Sequence, residues 1–85
     1  EAWFGPNPGG ELDDRRACEL LYEVLAGFDE AKRQAFVLFE IVERRMTEVA
    51  EILGCPLRTA YARLHAARDE VMRAWERKLR ERRAR

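Results

Sequence analysis

The chain has 85 residues, 47% apolar and 38% charged, which suffices for one soluble domain and is too polar for a membrane span. A domain of this size buries only about 60% of its unfolded surface, so no large enzyme cavity is expected. The neutral total of 16 basic and 16 acidic residues hides a polarity, because residues 1–54 carry six Lys/Arg against twelve Asp/Glu and residues 55–85 carry ten against four. Such a dipole suits a protein whose basic half meets a polyanion while its acidic half meets something else; the plainer alternative is a solvated basic helix.

The first ten residues, EAWFGPNPGG, hold two Pro and three Gly without any period. They read as a linker or extended arm, with Trp3 and Phe4 as its anchors, and the domain proper is assigned to residues 11–85. Ala17, Leu20, Leu21, Val24, Leu25 and Phe28 then follow the spacing of one helical stripe, and Gly27 supplies its stop. Asp29 offers an N-cap to a second helix, in which Ala31, Ala35, Leu38, Phe39 and Val42 repeat the stripe and Phe36, Val37 and Ile41 fill other faces. A helix apolar almost all round is expected at the centre of the bundle, the alternative being a surface for a partner.

Met46, Val49, Ala50 and Leu53 form a third, short stripe that Gly54, Cys55 and Pro56 end. Pro56 fits the start of a new helix. The fourth helix runs from about Leu57 towards the C-terminus, with Leu57, Ala60, Leu64, Ala67, Val71 and Trp75 as its inner stripe. No strand pattern is present, so the expected fold is all-α: a compact four-helix bundle in which a short helix, a three-residue turn and a long helix make a helix-turn-helix.

At 100° per residue, that inner stripe leaves Arg58, Ala62, His65 and Asp69 on the opposite face of the fourth helix, with Thr59, Tyr61 and Ala66 at its flanks. Arg can donate two parallel hydrogen bonds to N7 and O6 of guanine, and an alanine methyl can meet the thymine methyl and lets the backbone approach the bases. In helix-turn-helix proteins the N-terminal part of the second helix reaches the base edges. Thr59, Arg63 and Arg68 are expected to grip the sugar-phosphate backbone and set register. The competing assignments are that Arg58 and His65 are merely solvated, that Tyr61 leans inward beside Leu64, and that Arg63 pairs with Glu70 or Glu76.

The string from Ala35 to Val71 resembles region 4 of bacterial RNA polymerase sigma factors, particularly the extracytoplasmic-function group. The residues that carry the resemblance are the F-V-L-x-E-I run of Phe36 to Ile41, the VAEILGCP of Val49 to Pro56, and the T-A-Y-x-R-L-x-x-A-R of Thr59 to Arg68. With the preceding segment it covers about residues 16 to 72. The resemblance implies the C-terminal domain of a sigma factor with its linker, binding double-stranded promoter DNA at the minus-35 element and docking on the β flap of core RNA polymerase. It places Arg58, Thr59, Tyr61, Ala62, Arg63, His65 and Ala66 at DNA-contacting positions. The acidic, apolar N-terminal half would be the polymerase side, and an anti-sigma factor is a further possible partner.

The sequence departs from that pattern at several positions. Ala60, Tyr61 and Ala62 stand where many relatives have Val, Arg or Lys, and Ser, and Ala66 stands where Arg is frequent, so two backbone-gripping cations are missing. Weak DNA binding by the isolated domain is expected for that reason. Glu43, Arg44 and Arg45 stand where a Gly and a capping residue are usual before the third helix, so the expectation is either that Thr47 caps instead or that the helix entry is frayed.

Beyond Val71 the chain continues as MRAWERKLRERRAR. Met72, Trp75 and Leu79 form an apolar edge among Arg73, Arg77, Arg80, Arg82 and Arg83, expected first to be a packed or solvated tail with Trp75 as a packing residue, the alternatives being a cover for the arm that carries Trp3 or a source of extra non-specific contacts to nucleic acid. Cys18 and Cys55 are far apart and His65 is the one histidine, so neither a metal site, a disulfide nor a cofactor is expected. There is no Gly-rich phosphate loop and no nucleophile beside a base, so an enzyme is not expected. No leader or long apolar run is visible, and the expected location is the cytoplasm. A response-regulator helix-turn-helix shares the general plan but fits the GCPLRTAYARLHAAR string less well. The serious rival is a protein-interaction module, such as a target of anti-sigma binding, with little sequence-specific DNA contact.

Overall fold

A computed structural model describes residues 14–83, all of whose regular structure is helical. The expected arm over residues 1–10, with Trp3 and Phe4, lies outside the described residues. In chain order the elements are α1 (Asp14–Ala26), α2 (Glu30–Phe36) with a π-helical turn (Val37–Ile41) continuing it, α3 (Met46–Leu53) and α4 (Leu57–Arg83).

Local chemistry sets the ends. α1 stops where Gly27 and Phe28 donate their backbone N–H groups to the carbonyls of Val24 and Leu25, both at 3.1 Å. Asp29 caps α2 as expected, its Oδ1 accepting from the Lys32 backbone N–H at 2.9 Å. After Phe36 the hydrogen bonds lengthen in register, with the N–H of Val42 donating to the carbonyl of Val37 at 2.9 Å. A uniform second helix was the expectation from periodicity. The wider turn instead sends Val37 towards one hydrophobic cluster, and Leu38 and Phe39 towards another.

Thr47 does not cap α3, contrary to the sequence expectation, because it already lies inside the first turn. Arg45 takes the N-cap position with extended backbone (φ −67°, ψ 151°), and a guanidinium has no acceptor to offer the helix N–H groups. The compensation is one-sided: the Glu48 carboxylate accepts from the Arg45 backbone N–H at 3.1 Å. At the other end Gly54 adopts a left-handed conformation (φ 68°, ψ 37°). The N–H of Cys55 reaches the Ala50 carbonyl at 3.1 Å and that of Gly54 reaches Glu51 at 3.2 Å, the paired bonds of a Schellman ending. A β-carbon at Gly54 would meet nothing within 4 Å, so it is the positive φ rather than lack of space that requires glycine.

The carbonyl of Pro56 accepts the N–H of Ala60 at 3.0 Å and starts α4. With 27 residues, α4 is about 40 Å long and forms the spine on which the shorter helices pack in succession. Ala60 and Leu64 join Met46, Val49 and Ala50 of α3. Ala67 and Val71 join Val24, Leu25 and Phe36, and Trp75 and Leu79 join Leu20 of α1. Of the expected inner stripe, Ala60, Leu64, Ala67, Val71 and Trp75 are buried at 1% exposure or less, whereas Leu57 is 42% exposed. Leu57 is the first residue of α4, ahead of Ala60 and Leu64, which pack on α3.

Candidate nucleic-acid interface

The turn Gly54–Pro56 fixes how α4 leaves α3, and the cluster of Met46, Val49, Ala50, Ala60 and Leu64 clamps the two helices together. With that side of α4 buried, its opposite side faces outward through the first three turns. Arg58, Tyr61, Ala62, His65 and Asp69 are exposed, and Thr59, Arg63 and Ala66 are half-buried at the flanks. The sequence-derived face therefore exists as one continuous surface, with a guanidinium at its start and small methyls between larger polar groups.

Tyr61 does not lean inward beside Leu64. It is 43% exposed and lies against His65 one turn on, with ring centroids 6.2 Å apart and planes at 21°. The stacked pair makes a flat aromatic ledge beside Ala62. Arg58 and Arg63 form no ion pair among the described residues. In particular, the considered pairing of Arg63 with Glu70 is not formed: Glu70 accepts from Lys32 Nζ at 2.6 Å. That hydrogen bond raises the Lys32 pKa above its ordinary value, against desolvation, which lowers it.

Arg68, expected to grip phosphate beside Arg63, donates from its Nε to Glu40 Oε2 at 2.5 Å, and its guanidinium carbon sits 5.6 Å from the centroid of the Phe39 ring. The Glu40 side chain is only 6% exposed. Arg68 thus ties the π-helical turn to α4, and the outward cations of the first turns are Arg58 and Arg63.

Sequence reasoning did not assign two further cations. Arg44 and Arg45 are exposed on the loop that leads into α3. The signal that marks them is that they occupy the place of a usual glycine-to-cap segment.

Besides Tyr61, and Tyr22 on α1, large apolar side chains are exposed near the two bends of the chain that flank α3. Ile41 (44%) and Val42 (48%) end the π-helical turn, and Ile52 (58%) and Leu57 (42%) flank the turn between α3 and α4. Cys18 is an exposed free thiol and Cys55 a half-buried one. No described helix is long and apolar enough to cross a membrane.

The model of one protein family, described as "Sigma-70, region 4", matches residues 18–71 of the chain. The match ends where the Val71 side chain enters the core, and α4 runs on for twelve residues past it without a break. No curated protein and no solved structure gives a significant match.

Proposed function

The chain belongs to the sigma-70 region 4 family, and from that premise we propose that it recognises the minus-35 element of promoters by laying the first turns of α4 in the major groove while docking on the β flap of core RNA polymerase. The observation that carries this reading is the outward face of α4, where Arg58, Tyr61, Ala62 and His65 stand exposed immediately after the helix-turn-helix bend. The major groove is about 12 Å wide and accepts a helix presenting such groups to base edges. Arg58, with its guanidinium unpaired, suits guanine; Ala62 suits a thymine methyl; Thr59, Tyr61, His65 and Ala66 border the same strip; Arg63 suits a phosphate at the groove's edge.

The exposed Ile41 and Val42 support a protein contact at the end of the π-helical turn. We assign it to the polymerase flap, and an anti-sigma factor competing for the same side chains is a second candidate partner.

The test is selection of duplexes from a random pool by core polymerase carrying this domain. Recovery of a common element at minus-35 spacing is the expected result. An unenriched pool, with the domain still bound to polymerase, would favour the protein-interaction reading instead.

A further inference from the structure

We infer that Arg44 and Arg45 form a phosphate clamp on the approach to α3, which supplies the backbone grip that the first turns of α4 lack. The inference deepens the promoter-binding reading and rests on it.

Three observations converge on these two residues. The first is supply and demand of charge over the first turns of α4: Arg68 is held by Glu40 and Phe39, leaving Arg58 and Arg63 there, while Arg73, Arg77 and Arg80 lie further along the helix. Arg58 suits a base and Arg63 a phosphate, which is a thin hold for a duplex whose affinity comes largely from neutralised phosphates.

The second is placement. α3 has eight residues, so its ends are about 12 Å apart, the same as the width of the major groove. One end of α3 meets the turn into α4, and Arg45 caps the other. In a helix-turn-helix the first helix crosses the DNA backbone, so the loop carrying Arg44 and Arg45 lies on the phosphate side of the groove that α4 enters.

The third is that the local sequence works against the fold here. Basic groups at a helix start oppose the macrodipole, arginine cannot cap, and Glu43 just before them holds a φ of 63°. The nearby carboxylates do not neutralise the pair: Glu48 is engaged with the Arg45 backbone N–H, and neither guanidinium forms an ion pair among the described residues. Two exposed, unpaired cations kept where neutral capping residues would favour the helix point to a polyanion outside the protein.

The role separates cleanly from a structural one, since replacing Arg45 by serine should improve the cap while removing the charge. The full chain is titrated with a short duplex recovered in the selection above, or with one of arbitrary mixed sequence where the pool is not enriched, and with a scrambled one, across a range of salt. In the Arg44→Ser, Arg45→Ser double variant, the slope of log K against log salt should become shallower by about 1.8, at about 0.9 per phosphate, on both duplexes. Its preference for the selected duplex should persist and its melting temperature should equal or exceed that of the parent. The Arg44→Lys, Arg45→Lys variant should keep the parental slope. An unchanged slope in the serine variant, or a lysine variant as shallow as the serine one, overturns the clamp. If the parent binds both duplexes equally, the promoter reading fails and the slope comparison still decides the clamp. If the parent binds neither at low salt, both fail.

Discussion

Glu43 holds a φ of 63°, in the left-handed region where a β-carbon crowds the following carbonyl at a cost of about 1 to 2 kcal/mol. Glycine avoids that cost but gives back about 0.4 to 1 kcal/mol through the greater freedom of its unfolded chain. Glu43→Gly should therefore stabilise the domain by about 0.5 to 1 kcal/mol, which for a chain of this size raises the melting temperature by about 2 to 8 °C. Glu43→Ala keeps the β-carbon and should show no comparable gain. Equal melting temperatures for the glycine variant and the parent would mean that the loop is not strained.

On the first turns of α4, Arg58 and Arg63 should part company when removed. Arg58→Ala should cost about 1 to 3 kcal/mol of binding to the selected duplex and relax preference at one base pair. Arg63→Ala should weaken selected and scrambled duplexes alike and reduce the salt slope by about 0.9. Identical losses on both duplexes from both variants would contradict these roles. The outward face was legible in the sequence because 100° per residue fixes it once the inner stripe is found. The stacking of Tyr61 on His65 was not, since it depends on which rotamers two neighbouring exposed rings adopt.

Between elements, the bond from Arg68 to Glu40 fastens the π-helical turn to α4 across 28 residues of sequence. Helical periodicity contains no information about such a pair, which is why Arg68 read as a free cation on the flank of α4. The π-helical turn was equally hidden: one widened turn within Val37–Ile41 leaves too few residues to register as a change of period. The caps and stops fared better where a single residue carries the conformation, as at Asp29 and Gly54, and failed where the expected chemistry was absent, as at Arg45. Removing one partner of a largely buried charged hydrogen bond costs about 1.5 to 3 kcal/mol. Arg68→Ala should accordingly lower the unfolding free energy measured in urea by that amount and leave the salt slope of DNA binding unchanged at temperatures where the variant is folded. A slope reduced by about 0.9 in the folded variant would return Arg68 to the phosphate-gripping set.

Across the whole molecule, α4 belongs to all three hydrophobic clusters, so no cluster can dissolve without freeing one face of the same helix. Trp75 is 1% exposed and lies four turns and more beyond the start of α4, packed with Leu20 and Leu79, and its indole N–H meets no acceptor among the described residues. Deleting a buried tryptophan side chain costs about 3 to 5 kcal/mol. Domains of this length are stable by about 4 to 13 kcal/mol, at roughly 0.05 to 0.15 per residue. Trp75→Ala should thus remove a large share of the total and leave a substantial unfolded fraction on warming. Trp75→Phe, which keeps much of the apolar bulk and removes a polar group without an acceptor together with part of the ring, should lose much less. Because the clusters share one helix, the loss should appear as a lower midpoint of a single urea transition with unchanged m-value. DNA binding by Trp75→Ala should fall in step with the folded fraction and return when sucrose restores folding, although Trp75 lies several turns beyond the proposed contacts. Two separate transitions, or an affinity that stays low in a fully refolded variant, would show that the far end of α4 acts on the interface by some route other than the shared core.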